Sequence, residues 1–294
     1  KRLRKSHVVK MRQQKSIQVE REVLLLCYHP CIVQFIKTFN DSANVYFLTE
    51  FLGGGDLFFA IREIGMLTKP QSQFYSGSIL SAIEYLHEMG YMYRDLKPEN
   101  VLLDSDGWCK LVDFGCCKKA TRAYTLVGTP EYLAPEVILG KGYNRCADWW
   151  SVGVCTYEFV CGPLPFGTQA EDQLELFREI LEAPLRFPPY VKSTESTSLL
   201  KALLERQPDV RLGAGTGGAK DIKSHAYFKD FSFHKLVTQD LTPPWKANME
   251  AVKTNWLPPS AAQVDDKDDA AEQQEALSKD PAWAQRYKDW DAAF

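Results

Sequence analysis

"YMYRDLKPENVLLDSDGWCKLVDFG", residues 91–115, places Asp95, Lys97, Asn100 and Asp113 in that order on a stretch that otherwise reads as alternating strand. Phosphoryl transfer needs such a set. A carboxylate orients an attacking hydroxyl and receives its proton, a cation meets the migrating phosphate, and oxygen ligands suit magnesium, which prefers carboxylate and amide oxygens. The plain alternative is a polar hairpin loop with a few chance acids, and what surrounds the stretch decides between the two.

The bounds are ordinary. A chain of 294 residues can bury a sizeable core and is expected to form two lobes or domains. Its 45% hydrophobic and 25% charged residues exclude a disordered or fibrous chain. Lys+Arg 35 against Asp+Glu 38 gives a net charge of −3, which argues against a nucleic-acid partner, since that needs a basic face. No apolar run is long enough to cross a bilayer, and "KRLRKSHVVK" lacks the apolar centre of a signal peptide, so a soluble, cytoplasmic protein is expected. The eight cysteines are scattered, mostly in apolar segments (Cys27, Cys31, Cys109, Cys155, Cys161) and without zinc-ligand spacing, which predicts reduced, buried thiols.

The chain changes character near residue 53. Before it, "VVKMRQQKSIQVEREVLLL" predicts one short helix with Val19, Val23 and Leu26 on its apolar stripe. "CIVQFIKTFN" and "NVYFLTEF", joined through "NDSAN", predict a hairpin. After "GGG" the pattern is helical: "DLFFAIREIG", then "QSQFYSGSILSAIEYLHEMG" closed by Gly90, and mainly helix again over 145–230. Beyond Phe231, prolines and the acidic "DDKDDAAEQQEALSKD" predict a tail that wraps other structure rather than a domain with its own core. His29 and His87, on apolar segments, read as core or capping residues.

"YRDLKPEN" and "DFG" fit the protein-kinase signature of a catalytic loop with an Asn five positions after its Asp and a later Asp-Phe-Gly; Tyr93 stands where a histidine is commoner. "GTPEYLAPE", 128–136, follows Asp113 at the interval an activation segment requires, so chance acids fail on joint occurrence. With "EYLHEMGYMYRDLKPENVLLD", "LVDFGCCKK", "RAYTLVGTPEYLAPEVILGKGY", "YEFVCGPLPFG" and the closing "WDAAF", the chain resembles the catalytic part of an AGC-group Ser/Thr protein kinase, most closely a cyclic-GMP-dependent kinase of the protist type. The resemblance implies an α+β fold of two lobes: a partial small lobe over 1–52, a mainly helical large lobe over 53–231 and an AGC tail over 232–294.

It also implies roles, residue by residue. Asp95, Lys97 and Thr129 form the catalytic set, Thr129 bridging the other two, and Asn100 and Asp113 hold Mg2+. Lys1 holds the α- and β-phosphates of ATP and pairs with Glu20; a solvated acid on a helix face is the plain reading of Glu20. Adenine hangs on the backbone from Glu50 to Leu52 above Leu102, with Thr49 a small gatekeeper that leaves a back pocket open. Asp56 contacts the ribose and faces the substrate, and as an acid after glycines it is equally a good helix N-cap. Glu99, placed on the nucleotide side as well, joins Glu158 in receiving a basic residue of the protein substrate. Thr125 is the phosphorylated site, with Arg94 and Lys118 as its cations. Asp148 ties down the catalytic loop, Glu136 pairs with Arg211, and Trp290 and Phe294 dock beside the Glu20 helix.

Cyclic-nucleotide-binding domains are expected upstream in the same chain. The strands of a Gly-rich loop are expected there too, because none lies among the 294 residues, so residues 1–294 alone are expected to bind Mg-ATP poorly. A pseudokinase scaffold and the cyclic-AMP-dependent branch are the competing readings.

Overall fold

The computed structural model describes residues 1–246. The chain opens with strand β1 (Arg2–Arg4), which runs into helix α1 (Lys5–Lys10) and, after a turn, helix α2 (Gln14–Leu26). Strands β2 (Phe35–Asn40) and β3 (Asn44–Thr49) form the expected hairpin, and β1 joins it to make a three-stranded antiparallel sheet in the order β1-β3-β2. Val8, Ile17, Val45 and Phe47 close a small core beneath this sheet, separate from the main one.

Two expectations for this region are corrected. The single helix is two, broken at 11–13, where Arg12 takes a left-handed φ of 55°. The buried stripe of α2 is Ile17, Glu20, Val23 and Leu24, whereas Leu26 is 50% exposed and Val19 only half-buried. Reading apolar positions alone rotated the face, because the true one includes a carboxylate that Lys1 neutralises. Ile17 serves the small core while Val23 and Leu24 serve the main one, so α2 spans both.

Helix α3 (Leu57–Ile64) is capped by Asp56, which accepts the Phe59 N–H at 2.8 Å, and ends at Gly65 with φ 79°. Helix α4 (Lys69–Glu88) begins at a Thr68/Gln71 capping box and is followed by Gly90 at φ 83°. Strand β4 (Tyr91–Met92) leads to the loop 93–97 and a 3-10 turn, Pro98–Asn100. Strands β5 (Val101–Leu103) and β6 (Cys109–Leu111) pair as a hairpin, and β7 (Lys118–Lys119) returns to pair with β4.

The remainder is helical: α5 (Pro135–Ile138), α6 (Cys146–Cys161), α7 (Gln173–Glu182), α8 (Thr194–Leu203), α9 (Ala219–Lys223) and α10 (Phe233–Val237). Helix α6 is buried almost all round, as "CADWWSVGVCTYEFVC" demands, and packs against α4 and α8 at the centre of the main core. The first part of the tail region is seated on this lobe: α10 packs on α4, and the Trp245 carbonyl approaches Gly107 so closely that a Cβ there would stand 2.0 Å from it. All eight cysteines are free, seven of them buried. Among the described residues no helix is long and apolar enough to cross a membrane. Trp290 and Phe294 lie outside the described residues.

Candidate active site

The site is built upward from α6. Near the start of that helix, the buried Asp148 carboxylate accepts the Arg94 N–H at 2.8 Å on one oxygen and the Tyr93 N–H at 2.9 Å on the other, which also lies 2.7 Å from His87 Nε2. These bonds hold Arg94 at φ 75°, a conformation that a non-glycine residue keeps only when its surroundings impose it. Tyr93 is buried beneath the loop and its hydroxyl donates to the Val112 carbonyl at 2.6 Å. Burial pushes that phenol well above its ordinary pKa, with nearby cysteines and acids adding to the effect.

Asp95 comes next. Its Oδ1 accepts the Thr129 hydroxyl at 2.8 Å, and Lys97 Nζ donates to the same Thr129 oxygen at 2.8 Å. One hydroxyl therefore joins acid and amine, although they come from the loop and from the segment preceding α5. Asn100 donates through Nδ2 to the Asp95 carbonyl at 2.8 Å and to Oδ2 at 3.2 Å, which leaves its own Oδ1 as an acceptor. The Val112 N–H bonds the Asn100 carbonyl at 3.0 Å, bringing Asp113 up beside this loop with φ 55° and a half-exposed carboxylate.

An amide oxygen and an exposed carboxylate make a hard donor set that suits Mg2+. Two such donors leave most of an octahedral shell to waters and phosphate oxygens, as Mg2+ prefers. Lys1 Nζ reaches Glu20 at 2.7 and 2.9 Å and Asp113 at 3.7 Å. Burial raises the Glu20 pKa above 4.5, and Lys1 offsets part of that rise.

Residues 50–56 run from β3 to α3 along β5. Gly54 N–H donates to Leu103 O and Leu103 N–H to Gly55 O, both at 2.8 Å. Only glycine fits at 54, since a Cβ would fall 2.5 Å from Asp104 O. An isolated bridge sets Asp56 against Leu102. Thr49 is half-buried at the end of β3, donating to Glu50 O at 3.1 Å; Leu52 packs against the main core. Asp56 does act as the α3 N-cap.

On the opposite side of the loop, Arg94 Nη1 meets Thr125 Oγ1 at 2.9 Å and its Nε meets Cys116 O at 2.6 Å. Tyr143 completes the arrangement, its hydroxyl donating to Thr125 O at 2.8 Å. Lys118 sits in β7 opposite Met92, with no hydrogen bond or ion pair of its amine among the described residues. Glu158 is buried, accepts from the Tyr132 hydroxyl at 3.1 Å and lies 4.0 Å from Arg62; burial first, then neighbouring Glu99, raises its pKa above 4.5. Arg211 is buried and grips Glu136 with two nitrogens at 2.7 and 2.8 Å, while bonding the carbonyls of Cys146 and Glu205. Sequence reasoning did not single out Tyr143, the Tyr93 hydroxyl bond or Arg62, and nothing in their local sequence signals those contacts.

The protein kinase domain model matches residues 1–228, and the chain belongs to the protein kinase domain family. The two-lobed, mixed helix-and-strand architecture described above is that family's fold. Among similar proteins, a cGMP-dependent protein kinase of Eimeria tenella is 57% identical over 238 residues, covering 81% of this chain and 24% of that protein. A cGMP-dependent protein kinase of Plasmodium berghei is 54% identical over 241 residues, covering 82% and 28%. Ribosomal protein S6 kinase alpha-1 of Homo sapiens is 39% identical over 266 residues, covering 89% and 34%. The chain thus spans about a quarter of the length of the first two relatives.

Proposed function

We propose that this chain is the catalytic region of a Ser/Thr protein kinase that transfers the γ-phosphate of ATP to hydroxyls in basic sequence contexts, and that cyclic GMP regulates the full-length protein. The observation that carries the reading is the Thr129 hydroxyl, bonded at 2.8 Å to both Asp95 and Lys97. That bridge sets a proton acceptor and a phosphate-binding cation at one point, so a substrate hydroxyl and the group it attacks meet there.

Asp95 orients the hydroxyl and takes its proton. Lys97 neutralises charge on the migrating phosphoryl group, and Lys1, held by Glu20, binds the other phosphates. Asn100 and Asp113 hold Mg2+, which when bound offsets phosphate charge. The Glu50–Leu52 backbone and Leu102 receive the adenine, and Thr49 leaves space behind it. Glu99 and the buried Glu158 receive a substrate arginine or lysine. The regulation by cyclic GMP is supported by the likeness to the cGMP-dependent kinases of Eimeria and Plasmodium.

The test is Asp95→Asn in the full-length protein, assayed on a basic Ser/Thr peptide with and without cyclic GMP. Loss of the proton acceptor should lower kcat by about 10²-fold or more. Near-parental turnover would remove Asp95 from the mechanism, and a parent protein that phosphorylates no peptide would favour a binding scaffold instead.

A further inference from the structure

Lys110 and Glu50 meet where the two lobes join. Lys110 Nζ lies 3.1 Å from Glu50 Oε1, with the two side chains only 10% and 26% exposed. The same oxygen accepts the Gln34 N–H at 2.8 Å, and the Glu50 N–H returns a bond to Gln34 O at 2.9 Å. Gln34 is itself fixed to the large lobe: residues 31–33 run beside β6, with Leu111 N–H on Cys31 O at 2.8 Å and Val33 N–H on Leu111 O at 3.1 Å. One carboxylate oxygen therefore ties together the approach to β2, the connector 50–56 and the strand that leads to Asp113.

A lysine this buried is rarely found unpaired. Lys110 also borders a cavity of about 320 Å³ lined by Tyr28, His29, Pro30 and Val237, while its amine meets Glu50. In the hairpin register Lys110 stands directly opposite Leu102, and residues opposite one another in an antiparallel pair share a face. The pair thus fixes the connector relative to the floor that Leu102 provides.

We propose that the Lys110–Glu50 pair is a positioning device for the nucleotide, setting the connector at the height over Leu102 at which adenine fits. The proposal rests on the kinase reading above. Its loss weakens ATP binding and leaves the transfer step, governed by Asp95 and Lys97, nearly unchanged.

The test is a double-mutant cycle in the full-length protein: Lys110→Met, Glu50→Gln and both together. Contacting pairs of this kind couple strongly, so each single change should raise KM for ATP about tenfold with kcat held within about twofold, and the double should match the worse single within about twofold. Additive losses, an unchanged KM, or a fall in kcat alone would overturn the proposal. Titration with trinitrophenyl-ATP reads the same ratios without turnover. If the parent binds the probe yet phosphorylates nothing, the kinase reading fails while the pair is still judged by the probe: tenfold weaker binding supports it and equal binding overturns it. Should Lys110→Met fail to fold, the near-isosteric Glu50→Gln and the charge-keeping Lys110→Arg carry the test. The first should then weaken binding about tenfold and the second less than about threefold; equal losses in both would overturn the pairing.

Discussion

Asp148→Asn keeps the size of the side chain and removes its charge and one acceptor. The carboxylate now serves three donors: Arg94 N–H at 2.8 Å, Tyr93 N–H at 2.9 Å and His87 Nε2 at 2.7 Å. Asparagine offers one oxygen and one amide nitrogen. In either orientation that nitrogen faces a backbone N–H, donor to donor, while His87 adapts by changing tautomer. One buried N–H loses its acceptor, costing ~1–3 kcal/mol, and the surviving bond loses its charge assistance, ~1 kcal/mol more. Arg94 at φ 75° stores ~1–3 kcal/mol that relaxation of the loop returns. At the midpoints of these ranges the net destabilisation is ~1 kcal/mol, and at roughly 2–4 °C per kcal/mol for a domain of this size, Tm should fall by about 2–4 °C. Activity should fall further than stability. Asp95 is the next residue after Arg94, and a displacement of ~1 Å in a reacting group costs ~10²-fold in rate. Differential scanning fluorimetry and steady-state peptide phosphorylation on one preparation check both, with the exposed Asp209→Asn as control. A Tm within about 1 °C of the parent together with kcat within about twofold would refute the reasoning, since buried N–H groups do not lose an acceptor without cost.

Thr129→Val removes the hydroxyl between Asp95 and Lys97 and should lower kcat at least about tenfold, ~1.4 kcal/mol of barrier, whereas Thr129→Ser should keep most activity; steady-state kinetics separates the two. Phosphate mapping of active enzyme should find Thr125 modified. Thr125→Ala should then reduce turnover, because a phosphate of charge near −2 beside the Arg94 guanidinium would gain ~1–3 charge-assisted bonds. Glu158, its pKa raised by burial, takes up its proton at a higher pH than an ordinary carboxylate does as pH falls. KM for an arginine-containing peptide should rise as that proton is taken up, and Glu158→Gln should raise it at neutral pH and flatten the profile.

The large lobe was legible because its chemistry is written contiguously. Asp95 to Asn100 span one loop and one turn, and β5 and β6 bring Asp113 back by a short hairpin, so spacing along the chain translates directly into distance. Asp148, Glu136 and Arg211 were placed by resemblance, not by pattern. Arg211 and Glu136 lie 75 residues apart, and no local signal announces a buried guanidinium. The break between α1 and α2 was missed because neither glycine nor proline marks it; Arg12 makes the turn in a conformation its residue type disfavours. The face of α2 was misjudged for a related reason. A count of apolar positions leaves out Glu20, whose pairing with Lys1, 19 positions away, was placed by the resemblance and not by the helix pattern. Lys110 was passed over because on β6 it looks like one lysine among apolar neighbours, and only the packing of 31–34 beside that strand shows what it holds.

The phenol of Tyr93 separates two things that a histidine at the same place would combine. An imidazole changes its charge near neutral pH, so a bond from one to Val112 O would respond to acidification. Tyr93 is held neutral by burial far above any physiological pH, and its single donated bond to Val112 O does not change across that range. The connection between the loop carrying Asp95 and the strand leading to Asp113 is therefore a proton-blind joint. An acid response of turnover then falls to the buried carboxylates whose pKa burial raises, Glu158 on the substrate side and Glu20 beside Lys1.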